Sequence, residues 1–301
     1  VIYVHTYEGK DVLALASLDG NLWPKILRQG ADFYMQPAVS PDGARLAWVE
    51  WNHPNMPWDG TRLFMAEFDQ EAGCLRHPTL LDGSDETPTF QPIFSPDGAK
   101  LAWLSNQGEL DQLKVLHLIS GEVETLLQDR ILMPPAWVQG VRALAWSPDS
   151  RELFFLENQL GKTSLRRINL NTREISQVDT APYTFLEQPC ISVNGELALI
   201  AQSASKAPRV VRIAEGQIEV IARSQSDVLP SAFLSQPEAI DWQSSDGVTA
   251  HGLYYPPAHP DYESASAPPV IAYIHGGPTS QVYDAFNLEA DFFTSRGYGY
   301  F

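Results

Sequence analysis

This sequence of 301 residues has little of several things, and each shortage excludes a class of protein. Its two cysteines, Cys74 and Cys190, form neither a disulfide framework nor a Cys-based metal pair, so we expect free thiols in a reducing, cytoplasmic compartment. Basic residues number 20 against 37 acidic ones, a net charge of −17, which argues against nucleic acid or an anionic membrane as partner. No apolar run approaches the roughly 20 residues of a membrane span.

What the sequence does contain is an internal repeat. Ser-Pro-Asp-Gly turns begin at Ser40 and Ser95, a Ser-Pro-Asp-Ser turn begins at Ser147, and a degenerate Ser-Val-Asn-Gly copy begins at Ser192. The spacings of 55, 52 and 45 residues come near the roughly 40 to 50 residues of a four-stranded propeller blade. Proline presets φ, aspartate bonds its own backbone and glycine accepts a positive φ, so each copy predicts a tight turn between antiparallel strands.

The strand after each turn is apolar at consecutive positions, which an antiparallel strand tolerates only when both of its faces are buried. Stacked blades bury both faces. We therefore expect a mainly β fold, with residues 1–236 forming a β-propeller of four-stranded antiparallel blades. Three strands precede the first full repeat, so we expect this propeller to be incomplete at its N-terminus, with further sequence before Val1.

Residues 237–301 have a different character. After two more strands and a Pro-rich loop, an apolar strand at residues 270–274 leads into the turn His275-Gly276-Gly277-Pro278. A helix over residues 285–295, ended by Gly297, and another strand from Tyr298 should follow. Strand, helix and strand indicate a βαβ unit of a parallel sheet, so residues 237–301 predict the beginning of a second, α/β domain.

The His-Gly-Gly-Pro turn is the most specific chemical signal. Two glycines after a buried strand let the backbone approach a ligand and direct amide donors at it, as an oxyanion hole requires. Because Pro278 has no N–H, we expect Gly276 or Gly277, and Gly277 in particular, to be the donor, with His275 as a positioning residue. The alternative is a plain glycine turn. Turns of this kind occur in α/β-hydrolases.

No Gly-x-Ser-x-Gly nucleophile motif occurs in the 301 residues. In α/β-hydrolases the serine, aspartate and histidine of the triad all follow this turn along the chain. We therefore expect no catalytic triad residue in this chain, no activity of the chain alone, and a triad downstream of Phe301. Metal and other cofactors are not expected, because five histidines lack metal-ligand spacing: His5, His77, His117, His251 and His259.

Together these motifs resemble the prolyl oligopeptidase family of serine peptidases, and within it the acylaminoacyl-peptidase and dipeptidyl-peptidase-like branch. The resemblance is loose in the blades and specific in PEAIDWQSSDG (237–247), YIHGGP (273–278) and FFTSRGY (292–298). It implies a propeller that screens peptides by size before they reach a Ser-Asp-His triad between propeller and hydrolase domains. Short peptides would be the substrates. The absent triad is the departure from the family pattern.

A second candidate site is a long insertion between two strands, residues 50–61, where a short turn would have sufficed. Similar segments occur in bacterial members of the family, so it is a candidate wall of the substrate cavity. Acidic side chains would pair a free peptide N-terminus and tryptophans would contact an apolar side chain. The alternative is a cluster that packs the loop onto its own blade. The candidate residues are Glu50, Trp51, His53, Met56, Trp58 and Asp59.

Two other functions remain open. A non-catalytic propeller of the TolB type would use the same turns as a protein-binding platform, but it leaves residues 270–301 without a role. An esterase of the α/β-hydrolase class would share the glycine turn. We also expect residues 237–301 either to pack against the propeller or to mediate self-association into a homo-oligomer, because an interrupted parallel sheet leaves an apolar face and unpaired edges.

Overall fold

The computed structural model describes residues 1–108, 110–136, 138–226, 229–263, 266–277 and 279–301. Over these residues the chain is mainly β, and its sheets follow one another in sequence order. The first sheet has three antiparallel strands: β1 (Ile2–Tyr7), β2 (Lys10–Leu15) and β3 (Lys25–Arg28).

Four sheets of four strands come next, and they are the propeller blades that the repeats predict. The first two are β4 (Phe33–Val39), β5 (Arg45–Trp51), β6 (Arg62–Asp69) and β7 (Cys74–Gly83), then β8 (Thr89–Phe94), β9 (Lys100–Asn106), β10 (Asp111–His117) and β11 (Val123–Arg130). The other two are β12 (Leu144–Trp146), β13 (Glu152–Gln159), β14 (Lys162–Asn169) and β15 (Ile175–Gln177), then β16 (Phe185–Ile191), β17 (Leu197–Ser203), β18 (Lys206–Ala214) and β19 (Gln217–Arg223).

Each repeated turn joins the first and second strands of a sheet through the same hydrogen bonds. In the first copy the Gly43 N–H donates to the Ser40 carbonyl at 2.8 Å, and the Ser40 hydroxyl donates to Asp42 at 2.6 Å. The copies at Ser95 and Ser147 repeat both bonds. At Ser192 only the backbone bond remains, because asparagine replaces the aspartate. The predicted turns are confirmed.

The second strands show the predicted burial on both faces in three sheets out of four. Leu46, Ala47, Trp48 and Val49 of β5 are at most 1% exposed, and β9 and β13 have matching buried runs. In β17 buried and half-buried residues alternate instead. The prediction of two buried faces is therefore wrong for the fourth sheet, one face of which is only partly covered by the described residues.

Glutamines link the first strands of neighbouring sheets, a feature that turn chemistry alone does not reveal. Gln36 and Gln91 lie at bulges of β4 and β8 with φ of +52° and +50°. The Gln91 N–H donates to the Gln36 side chain at 2.6 Å, and the Gln91 side chain accepts from Ala143 and Leu144 at 2.6 and 2.8 Å. Side-chain amides thus supply hydrogen bonds that the separate sheets cannot form with one another's backbones.

By its contacts the chain divides into two compact units, Val1–Phe155 with Ile168–Ile175, and Leu156–Arg167 with Ser176–Phe301. The first unit has a core that includes Leu13, Tyr34, Leu46 and Trp48. The division passes through the third four-stranded sheet rather than at the change of sequence character near residue 236.

Within the second unit, residues 237–301 pack against the last four-stranded sheet, β16 to β19, which we call the fourth blade. Leu253, Tyr255, Ala290 and Tyr300 form one buried cluster with Ala204, which lies in the turn between β17 and β18. Of the two expectations for this segment, packing against a blade is therefore the one observed. The elements are a 3₁₀ turn (Ser231–Phe233), β20 (Glu238–Gln243), β21 (Thr249–Tyr254), β22 (Val270–Ile271), α1 (Leu288–Thr294) and β23 (Gly299–Tyr300).

β22 and β23 pair in parallel with α1 between them, which is the predicted order of strand, helix and strand. Two predicted boundaries are wrong. The helix begins at Leu288 rather than at residue 285, because the Asn287 side chain caps it by accepting from Glu289 and Ala290. The strand predicted at 270–274 is only two residues long, β22, and it pairs with β23 on one edge. The predicted burial is also wrong, because Ile274 is 87% exposed.

One carboxyl in α1 is buried without full compensation. Asp291 is 5% exposed; its Oδ1 accepts from the Ser235 N–H at 3.2 Å, and its Oδ2 has no hydrogen-bond partner among the described residues. Burial raises the pKa of the Asp291 carboxyl to about 6, against the weaker opposing effect of the Ser235 bond. The folded chain therefore holds this proton more tightly than the unfolded chain does.

We expect this carboxyl to destabilise the fold as pH rises from about 4 to about 6, because the unfolded group ionises near 4 and the folded one near 6. The cost reaches about 3 kcal/mol above that window. Asp291→Asn should flatten this part of the profile when urea unfolding is followed across pH 4 to 7.5. Asp261→Asn, an exposed change in the same unit, should leave the profile as in the wild type. Parallel profiles for all three proteins would contradict the prediction.

Candidate functional site

The glycine turn follows β22 and lies in the second unit. Gly276 and Gly277 are exposed, and neither amide N–H donates a hydrogen bond to another described residue. Gly277 has a φ of +77°, a left-handed conformation that glycine adopts without strain. Apart from Gly276 and its two chain neighbours, no described residue has an atom within 4 Å of the position that a Cβ on Gly276 would occupy. The turn thus has two amide donors with no acceptor among the described residues. Pro278, which entered the prediction, lies outside those residues.

His275 is half-buried at the start of this turn. Its Nδ1 lies 3.4 Å from the carbonyl oxygen of Gly276, a long contact with its own neighbour. It has no described carboxylate partner of the kind that would make it a catalytic base. A positioning role for His275 therefore stays a prediction.

The segment after the turn contacts the blades of the same unit, and this is the part of the site that sequence reasoning missed. The ring of Tyr283 lies 4.3 Å from that of Phe185, measured between centroids, and the Asp284 N–H donates to the Gly161 carbonyl at 2.8 Å. Asp284 itself is 5% exposed. A lone aspartate in the sequence carries no signal of such contacts.

The insertion at residues 50–61 lies in the first unit, and its first residue has a structural role. Both oxygens of Glu50 accept from Arg28, at 2.9 and 3.1 Å, and Trp48 Nε1 donates to one of them at 2.7 Å. The Arg28 guanidinium in turn lies over the rings of Trp48 and Phe64. The Glu50 carboxylate is thus already bonded to Trp48 of its own strand and to Arg28 of the preceding sheet, which favours a structural role. Its pairing with a peptide N-terminus stays a prediction.

The next blade repeats this arrangement with different residues. Trp103 Nε1 donates to Asp82 Oδ2 at 2.7 Å, and Lys114 Nζ lies 2.9 Å from the same oxygen. Burial alone would raise the pKa of Asp82, but the hydrogen bonds from Lys114 and Trp103 outweigh it and hold the pKa below its usual value. A tryptophan, a carboxylate and a cation therefore recur as a structural unit, to which Glu50 belongs.

The rest of the insertion is partly packed and partly open. Trp51 stacks on Phe33 with ring centroids 5.1 Å apart, and His53 meets the same ring edge-on at 4.8 Å. Met56 is 45% exposed. The structure therefore brings Trp51 and His53 together on one aromatic ring.

At the tip, Asp59 is exposed and its Oδ2 accepts from the Met56 N–H at 2.8 Å, while Trp58 is half-buried. Asn55 donates to the Asp85 carbonyl at 2.6 Å and anchors this end of the loop. His53, Met56 and Asp59 are the exposed members of the predicted set and remain accessible to a ligand.

We predict that Glu50→Ala lowers the free energy of unfolding by about 3 kcal/mol, because it leaves the Arg28 charge, 30% exposed, without its carboxylate partner. Asp59→Ala is the matched control in the same loop. Asp59 is exposed, so its loss should cost less than about 1 kcal/mol. Urea unfolding followed by tryptophan fluorescence measures both, and equal losses would show that Glu50 is not structural.

Among the described residues no group of three or more His, Cys, Asp or Glu side chains is arranged to hold a metal ion. Nor does any helix in the described part of the chain have the length and apolar character needed to cross a bilayer.

The repeated blades place the chain in a known class of β-propellers. Residues 1–239 match the TolB beta propeller domain family (PD40), and the chain belongs to that family. The chain is also homologous to peptidases of the prolyl oligopeptidase family. It is 24% identical over 270 residues to dipeptidyl-peptidase 5 of Porphyromonas gingivalis, covering 86% of this chain and 37% of that protein.

Solved structures extend the likeness beyond the blades. A puromycin-hydrolyzing peptidase of Mycobacterium tuberculosis superposes with a TM-score of 0.87 at 27% identity, over 97% of this chain and 45% of that one. TolB from Acinetobacter baumannii shares the fold, with a TM-score of 0.57 at 17% identity over 83% of this chain and 60% of its own. The chain thus spans less than half the length of the two peptidases.

Proposed function

We propose that this chain is the propeller and the first part of the α/β-hydrolase domain of a serine peptidase that acts on short peptides. The observation that carries the proposal is the pair of exposed glycines, Gly276 and Gly277, which follow a parallel strand and whose amides donate to no described residue. Homology to peptidases supports it, because the match to the mycobacterial structure covers 97% of the chain and so reaches beyond the blades.

In this mechanism the amide of Gly277, with that of Gly276 beside it, donates to the oxygen of the scissile carbonyl. Negative charge grows on that oxygen when the serine attacks, so donors fixed in advance stabilise the transition state more than the substrate. The nucleophile, its histidine and its aspartate belong to sequence downstream of Phe301, and the amide after the nucleophile supplies a further donor. The chain alone is inactive.

The blades restrict access to short peptides, and the exposed part of the insertion contacts them. Met56 and the half-buried Trp58 offer apolar surface, Trp51 and His53 support it through Phe33, and Asp59 attracts an ammonium terminus. The net charge of −17 acts in the same direction over longer distance. Glu50 contributes by holding the start of the loop in its blade.

A TolB-type binding platform is the alternative from another class. The fold likeness to TolB supports a propeller but gives no role to β22, α1 and β23. An esterase would use the same donors on an ester carbonyl and differs in substrate only.

The deciding experiment uses the protein that carries this chain followed by its Gly-x-Ser-x-Gly motif. Hydrolysis of aminoacyl anilides and short peptides at rates well above those of simple esters supports a peptidase. Faster turnover of simple esters favours the esterase, and absence of both activities favours the binding platform.

Asp59→Ala should raise KM for peptides with a free N-terminus and leave KM for N-blocked peptides unchanged.

We predict that Gly277→Ala lowers kcat by about 100-fold with little change in KM, because an oxyanion donor acts mainly in the transition state. The substitution is strained at a φ of +77° and therefore redirects the amide. Gly247→Ala is the matched control, since Gly247 has a φ of +85° in an exposed turn of the same unit. Apart from its chain neighbours, no described residue has an atom within 4 Å of the added Cβ. Equal kcat losses in both variants would indicate a general folding defect.

A further inference from the structure

The segment between the glycine turn and α1 is bound to the blades by contacts distributed along its length. We call residues 282–286 the strap. The Phe286 N–H donates to the Gln202 side chain at 3.3 Å, the Asp284 N–H donates to the Gly161 carbonyl at 2.8 Å, and Tyr283 packs on Phe185. All of these residues belong to the second unit.

Asp284 is the centre of this contact. The Thr184 hydroxyl lies 2.7 Å from the Asp284 carbonyl oxygen and 3.1 Å from its Oδ1, so the main chain and the side chain of one residue share its single proton. Lys162 Nζ lies 3.5 Å from Oδ2. A carboxylate that is 5% exposed is costly unless it is bonded, and Thr184 provides the hydrogen bond while Lys162 adds a screened opposite charge.

Gly161 shows how closely the strap approaches the blade. It has a φ of +76°, and a Cβ added there would lie 3.2 Å from the Val282 carbonyl oxygen and 3.6 Å from the Asp284 nitrogen. Glycine therefore gives the strap room to lie directly on the turn between β13 and β14. The close approach and the buried carboxylate fix the same point of the chain.

The glycine turn has few contacts of its own that fix its position. Gly276 and Gly277 are exposed and their amides donate to no described residue. Before them, β22 pairs over two residues and the Tyr273 N–H donates to the Phe301 carbonyl at 2.6 Å. An oxyanion donor must be held within about 0.5 Å of its productive place, and an error of about 1 Å costs roughly 100-fold in rate. The strap, which follows the turn, is the part of this segment bonded to a blade.

We propose that Asp284 is a positioning residue, which fixes the candidate oxyanion turn to the fourth blade through its bonds with Thr184. This inference rests on the function proposed above for that turn. Asp284 does not touch the substrate; it sets where the Gly277 amide lies. The exposed Lys162 contributes little, because an ion pair with a partner 60% exposed is well screened.

The kinetic test compares substitutions in the active, longer protein. Asp284→Ala and Thr184→Val should each lower kcat by roughly 10- to 100-fold with KM changed less than about twofold. Asp284→Asn should retain most of kcat, because its amide oxygen still accepts from Thr184. The double variant Asp284→Ala with Thr184→Val should lose no more than Thr184→Val alone, since Thr184→Val already removes the hydroxyl's bonds to both the main-chain carbonyl and the side chain of Asp284. Glu289→Gln, an exposed loss of charge in α1, is the matched control.

The second test reads the position of the turn without catalysis. Amide hydrogen exchange of residues 270–277 should be faster in Asp284→Ala and Thr184→Val than in the wild type, and unchanged in Glu289→Gln. Unchanged exchange, unchanged kcat, or an effect confined to KM would overturn the positioning role. If the longer protein hydrolyses no peptide or ester, the proposed function fails, and the exchange result alone decides whether Asp284 fixes the turn.

Discussion

A strand buried on both faces constrains everything around it, because neither side of its sheet is left to water. β5 and β9 are such strands, so each sheet needs neighbours, and polar groups that meet between neighbours must find partners inside the protein. Gln36 and Gln91 meet this requirement for the backbone by bonding from one first strand to the next. The indole N–H groups of Trp48 and Trp103 meet it by donating to carboxylates.

The same constraint explains why the sequence alone does not show whether an acidic residue of a propeller is structural or accessible to a ligand. Glu50 and Asp82 each accept from a tryptophan and pair with a cation, and neither is available to a ligand without breaking that arrangement. Asp59, nine residues after Glu50, is exposed at the tip of the same insertion. Burial and partners, rather than charge or the unusual composition of the loop, separate the structural carboxylate from the accessible one.

The sequence predicts what local chemistry determines. The turns at Ser40 and Ser95 and the four-stranded sheets follow from residues that act on their own backbone, and the order β22, α1, β23 follows from apolar runs. What depends on distant partners escapes prediction. The helix starts late at its Asn287 cap, and the contacts of Asp284 join positions about 100 residues apart. The glycine turn is visible in sequence because its chemistry is local, whereas what holds it is not.

The cluster around Ala204 has a consequence for where one domain ends and another begins. The propeller family match stops at residue 239, yet the turn that contains Ala204 shares its buried surface with Leu253, Ala290 and Tyr300. A protein cut at the family boundary would expose the apolar surface of that turn and would lose the bonds to Thr184 and Gly161. The fourth blade therefore needs residues beyond the boundary of the family match to complete its buried core.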